Sequence, residues 1–156
     1  GGAGNTDPNA SLGGIISTTA ITNSSDNNLF DDVSGDEADA GDTEYRGIYL
    51  KNNHGSLTLQ TSVVWFSSNT TSADDTLAMA LAGEGVNATM ETIANESTAP
   101  SGESFSSPAS KGAGLAVGNI AFGQRYGLWL RRTVSAAAAA VNANAATISW
   151  EGDTSA

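Results

Sequence analysis

Glu44-Tyr45-Arg46-Gly47-Ile48-Tyr49-Leu50-Lys51-Asn52, then Asn53-His54-Gly55-Ser56, then Leu57-Thr58-Leu59-Gln60-Thr61-Ser62-Val63-Val64-Trp65-Phe66 is the stretch whose reading decides the fold. In its second run Leu57, Leu59, Thr61, Val63 and Trp65 share one parity, and in its first Tyr45, Gly47 and Tyr49 alternate with Arg46, Ile48 and Leu50. Successive side chains of a strand point to opposite faces, so two period-two runs around an Asn/Gly turn predict an antiparallel hairpin. This places Val63 on the inward face and makes Glu44–Phe66 the expected most stable unit.

Working outward, further short strands are predicted. Tyr126–Val134 is strong, with Tyr126, Leu128, Leu130 and Val134 on one face and Trp129 on the other. Thr147–Glu151 alternates through Ile148 and Trp150, and Leu115–Val117 is weak. Asp74–Leu81 fits a strand through Leu77, Met79 and Leu81, or a short capped helix; its β neighbours favour the strand. Residues 83–114 form a long Ser/Gly/Pro-punctuated connection with short strands near Thr89–Ile93 and Phe105–Ser107. Five alanines at Ala136–Ala140 are too short to hold a helix in water and read as a loop. Six to eight short strands without a helix predict an all-β chain, an antiparallel β-sandwich with the jelly roll as one form of it.

Residues 1–28, rich in Gly, Asn, Ser and Thr, read as an extended N-terminal arm carrying one strand, Gly14–Thr22. Residues 29–156 form a single domain, as the length of 156 suggests. Ala, Gly, Ser and Thr make up half the chain, while Leu, Ile, Val and Phe total 28 residues. So few large side chains bury only a thin core. Either small residues pack compactly, or order comes partly from neighbouring copies or another protein. Leu12, Ile15 and Ile16 are the arm residues expected to make that contact.

The charge balance excludes several functions. Six bases against seventeen acids give a net charge of −11, which argues against nucleic acid as a partner. No apolar run is long enough to span a bilayer, so no membrane partner is expected. With no cysteine and a single histidine, neither a disulfide, a thiolate metal site nor a two-histidine site is available. The chain shows no signal peptide and starts at Gly1 without methionine, which suggests a processed or trimmed form.

Candidate chemistry is sparse. Residues 26–44 hold eight acids and no base, interrupted by Gly35 and Gly41, and read as a surface loop. Calcium would need acids or Asn at alternating positions, but from Asp36 those positions are Ala38 and Ala40. The stretch is therefore expected to face solvent or a basic partner surface. His54, in the predicted turn, lacks a nucleophile elbow to serve. With the carboxylates gathered in one flexible stretch, no enzyme, no metal and no cofactor are expected. Trp65, Trp129 and Trp150, with Tyr45, Tyr49 and Tyr126, could line a sugar-binding face or fill the core of a chain short of large side chains. Arg125, Arg131 and Arg132, with Lys111, concentrate base in the C-terminal part. Against the acidic first third, this could let copies pair head to tail, or could be scattered surface charge.

The stretches Asn28–Asn52 (Asn28-Leu29-Phe30-Asp31-Asp32-Val33-Ser34-Gly35, then Gly41-Asp42-Thr43-Glu44-Tyr45-Arg46-Gly47-Ile48-Tyr49-Leu50-Lys51-Asn52) and Gly123–Val134 (Gly123-Gln124-Arg125-Tyr126-Gly127-Leu128-Trp129-Leu130-Arg131-Arg132-Thr133-Val134) resemble small virion structural proteins of tailed bacteriophages, above all head decoration (cement) proteins. The resemblance is one of pattern over roughly residues 28–134 and carries no site motif. Families of this look include head decoration and minor tail proteins, and the resemblance implies a β-sandwich or jelly roll that bridges capsid or tail subunits, most like a decoration protein that stabilises the shell on the capsid surface. It also implies homo-oligomers, a major capsid protein as partner, and assembly in the host cytoplasm. A carbohydrate-binding or adhesin module on a virion or cell surface, or a tail or filament subunit, is the alternative. Buried tryptophans favour the assembly role, and two coplanar exposed ones favour sugar.

Overall fold

The computed structural model describes residues 7–154. Its regular structure is almost entirely antiparallel strand: β1 (Gly13–Gly14), β2 (Asp42–Lys51), β3 (Leu59–Ser68), β4 (Asp75–Leu81), β5 (Met90–Thr92), β6 (Leu115–Ile120), β7 (Arg125–Val134) and β8 (Thr147–Asp153). One helix, α1 (Gly35–Ala40), and two single 3-10 turns complete it. The strands form two three-stranded sheets, β2-β7-β4 and β6-β3-β8, and a small β1-β5 pair.

The predicted Glu44–Phe66 hairpin does not form. β2 pairs along its whole length with β7, from Asp42 opposite Val134 to Lys51 opposite Arg125, while β3 lies between β6 and β8 in the other sheet. Asn52 explains why the intervening residues cross over instead of turning back. Its Nδ2 donates to the carbonyls of both Leu57 and Ile120, at 2.9 Å each, and its backbone continues the ladder to Gln124 and Gly123. The turn-like Asn53–Ser56 is thus a link between sheets.

The inward face of β3 is also the opposite of the one expected. Val64 and Phe66 are buried, and Val63 and Trp65 are half-buried on the other face. The ladder is irregular between Leu59 and Ser62, where Thr61 takes a positive φ of 47°. One extra residue in a period-two element moves every later side chain to the other face. Val64→Asp should therefore cost about 3 kcal/mol or more in a denaturant melt, and Val63→Asp clearly less. Equal costs would mean that the bulge is misplaced.

The main core draws side chains from both three-stranded sheets. Leu50, Leu77, Met79, Leu128 and Leu130 come from one, and Val64, Phe66, Val117 and Ile120 from the other, with Ile148 and Trp150 packed against them. A second cluster covers the far face of β2-β7-β4. There Trp129 sits with Ala80, Ala82, Met90 and Ile93, flanked by Leu12, Tyr45, Tyr49 and Phe105. This use of alanine accounts for part of the odd composition: small side chains on β4 leave room for the indole and Met90.

The strand expectations for Asp74–Leu81, Tyr126–Val134 and Thr147–Glu151 match β4, β7 and β8, and Ala136–Ala140 is a loop. The arm strand Gly14–Thr22 shrinks to Gly13–Gly14, paired with β5. Gly13 is required there: φ is +83°, and a Cβ would collide with the Glu91 carbonyl and the Trp129 ring. The acidic stretch is not wholly loop. Ser34 and Glu37 form a reciprocal capping box at the start of α1, Asp36 and Glu37 occupy its first turn, and Gly41 ends it with φ of 80°.

Candidate assembly surface

The parity of β2 and β7 puts three charged side chains on the core-facing side: Glu44 opposite Arg132, and Arg46 opposite Leu130. All three are buried. Arg132 grips Glu44 through Nε at 2.6 Å and through Nη2, and its Nη1 donates to the Asp31 carbonyl at 2.6 Å. Arg46 Nη2 reaches Glu44 at 3.2 Å, Glu96 at 2.7 Å and Asn9 Oδ1 at 2.7 Å. Both guanidinium groups lie over the Phe30 ring, with centroid distances of 5.2 Å for Arg46 and 5.1 Å for Arg132. Burial pushes the Glu44 carboxyl above its ordinary value, against the pull of Arg132 and Arg46. A carboxyl raised in this way contributes stability that is full below its unfolded-state pKa. That contribution is lost as pH rises through the folded-state pKa.

This ionic cluster ties three surface segments to the sheet: the N-terminal residues through Asn9, residues 30–31, and the turn at Glu96. Backbone bonds reinforce it along the outer edge of β2, where Gly47 N donates to Ser11 O and Tyr45 N to Glu96 O, at 2.7 Å each. Ile93 N donates to Leu12 O at 3.0 Å. Residues 7–14 are thus part of the folded body. Ile15 and Ile21 beyond them are 55% and 48% exposed. Two open clefts flank the segment they belong to. One of about 860 Å³ lies between residues 15–28 and β2, and one of about 1210 Å³ lies between residues 21–35 and 138–148.

The six residues expected to make contacts therefore divide. Leu12 is half-buried and packs against its own chain's second core. Ile15 is exposed and Ile16 half-buried. Arg132 is internal, a correction to its reading as a surface base: a cation placed among core residues must be paired, and Glu44 pairs it. Arg131 is half-buried over the Phe105 ring at 5.1 Å, and Arg125 over Tyr49 at 5.5 Å. Lys111 is taken up by Glu151 at 2.6 Å, a hydrogen bond that raises the Lys111 pKa. The four bases do not form one patch. Parity could have found Arg132, which falls on the face of Leu128, Leu130 and Val134, just as Glu44 and Arg46 fall with Ile48 and Leu50.

Glu44 is likewise withdrawn from the solvent-facing acidic stretch, since it is buried. His54 is exposed in the link between β2 and β3, where Nδ1 accepts from Ser56 N at 3.1 Å and Leu57 N at 2.9 Å. Among the described residues, no three His, Asp or Glu side chains gather as a metal site. No helix among them is long and apolar enough to cross a membrane. The tryptophans form no shared platform. Trp129 is buried in one sheet, Trp150 faces the main core of the other, and Trp65 points to the opposite side from Trp150. No protein-family model, curated protein or solved structure matches the chain.

Proposed function

We propose that the chain is a non-enzymatic virion structural protein, a capsid decoration protein that bridges shell subunits. In this reading the two three-stranded sheets make an antiparallel sandwich whose outer segments serve attachment. The observation that carries the reading is the contrast within the N-terminal residues. Residues 7–14 are fastened by Asn9, Ser11, Leu12 and Gly13, while Ile15 and Ile21 stand exposed just beyond. An anchored segment that holds out apolar side chains suits a contact with a neighbouring subunit. The resemblance of residues 28–52 and 123–134 to head decoration proteins points the same way. The separated tryptophans give no support to a sugar-binding face. The partners in this reading are a major capsid protein and further copies of the chain, on the outside of a head assembled in the host cytoplasm.

The test is cosedimentation of the purified chain with empty, undecorated heads of the tailed phage whose genome encodes it. The wild-type chain is expected to sediment with the heads and raise their disruption temperature. Ile15→Ser/Ile21→Ser should keep its own stability within about 0.5 kcal/mol, as exposed sites do, yet remain in the supernatant. A wild-type chain that stays unbound overturns the reading.

A further inference from the structure

The register of the β2-β7-β4 sheet sorts charge by end. Ten residues of β2, about 30 Å of strand, separate Asp42 beside Val134 from Lys51 beside Arg125. The first end carries α1 with Asp36, Glu37 and Asp39. The loop after β7 lies against it, with Ala137 N donating to Asp39 O at 3.2 Å and Ala138 N to Ala38 O at 2.9 Å. In that loop Val141 is 46% exposed.

The opposite end differs in charge. Gly123 N donates to Asn52 O at 2.8 Å and Asn87 N to Arg125 O at 2.7 Å, so the turns holding Phe122 and Val86 sit beside Lys51 and Arg125. Phe122 is 58% exposed and Val86 42%. Among the described residues neither Lys51 nor Arg125 belongs to an ion pair. The nearby acids Glu84 and Glu103 are turned onto the backbone N–H groups of Glu91 and Gly83.

We propose that this Lys51–Arg125 end, anchored by Phe122 and Val86, docks on the α1 end of a second copy, where Val141 supplies the apolar contact. The α1 end sets Val141 beside acids, and the other end sets Phe122 and Val86 beside two bases that lack an acid partner, the anatomy of an interface with an apolar centre and a charged rim. The net charge of −11 makes most other approaches of two copies repulsive, so the two bases without an acid partner set the orientation. Such a head-to-tail contact uses two different surfaces and builds a ring or a line of copies. It does not depend on what Ile15 and Ile21 contact.

The experiment is sedimentation velocity on the full chain from about 10 µM to 1 mM, where association of about −4 to −7 kcal/mol is populated, at low and high salt. The wild-type chain is expected to self-associate with rising concentration and to dissociate as salt screens the ends. Lys51→Glu/Phe122→Ser should weaken association about tenfold or more. Asp36→Lys/Asp39→Lys should do the same from the other end. Mixing Asp36→Lys/Asp39→Lys with Lys51→Glu/Arg125→Glu should restore association, because their ends are again complementary. A wild-type chain that stays monomeric throughout overturns the proposal, as does association indifferent to both end variants.

Discussion

Replacing Trp129 with alanine should destabilise the protein by about 3–5 kcal/mol, the usual cost of emptying an aromatic site in a core. Trp129 is fully buried at the middle of β7, opposite Gly47 on β2 and Ala80 on β4. Its ring lies under Gly13 and beside Met90 and Ile93, so it seats β1 and β5 on the large sheet. The loss should appear in a urea melt as a lower midpoint, and residues 7–14 should become sensitive to protease. Trp129→Phe separates packing from hydrogen bonding. The indole N–H has no hydrogen-bond partner, so phenylalanine forfeits none, and its cost should stay near 1–2 kcal/mol. A Trp129→Ala variant that melts like the wild type would show that the small strands do not depend on the ring.

Arg132→Met is the second large effect, at about 3 kcal/mol. It leaves Glu44 buried with Arg46 as its remaining cation, and it releases the Asp31 carbonyl. The informative comparison is the triple replacement Glu44→Leu/Arg46→Met/Arg132→Met. Buried ion pairs often contribute little beyond what well-packed apolar side chains would, while half of a pair is costly. Asp31 and Glu96 are half-exposed and can return to water once their arginines are gone. The triple variant should therefore lie within about 1–2 kcal/mol of the wild type. A triple variant much less stable than Arg132→Met would mean that the cluster supports the core itself.

The strands were legible and their partners were not. Alternation in Tyr126–Val134 and Asp74–Leu81 is a property of each segment alone, because burial of one face acts residue by residue. Pairing is decided elsewhere. Asn53–Ser56 has the composition of a hairpin turn, but two carbonyls far apart in sequence, those of Leu57 and Ile120, capture Asn52 and direct the chain across. The bulge at Thr61 has no composition to announce it and reverses the face of β3. α1 was concealed differently: its Ser34…Glu37 capping pair stands within a run of acids and glycines that resembles any solvated loop. For the candidate site, exposure of Ile15 could be anticipated from the polar stretch around it. The internal Arg132 was masked by reading charge as surface when its parity said otherwise.

The pairing of β7 bears on how the chain is made. β2 and β4 leave the ribosome first but share no ladder with each other; each finds its partner in β7, and β3 is completed by β8 after that. A nascent chain halted before Arg125 therefore holds orphan strands, with Leu50, Leu77 and Met79 open to solvent or to other chains. Such non-local closure is slow, because the loop entropy is lost before any contact rewards it. Synthesis of the segment that carries β7 and β8 is the step that commits these strands to their native pairing, and until then the aggregation hazard is greatest.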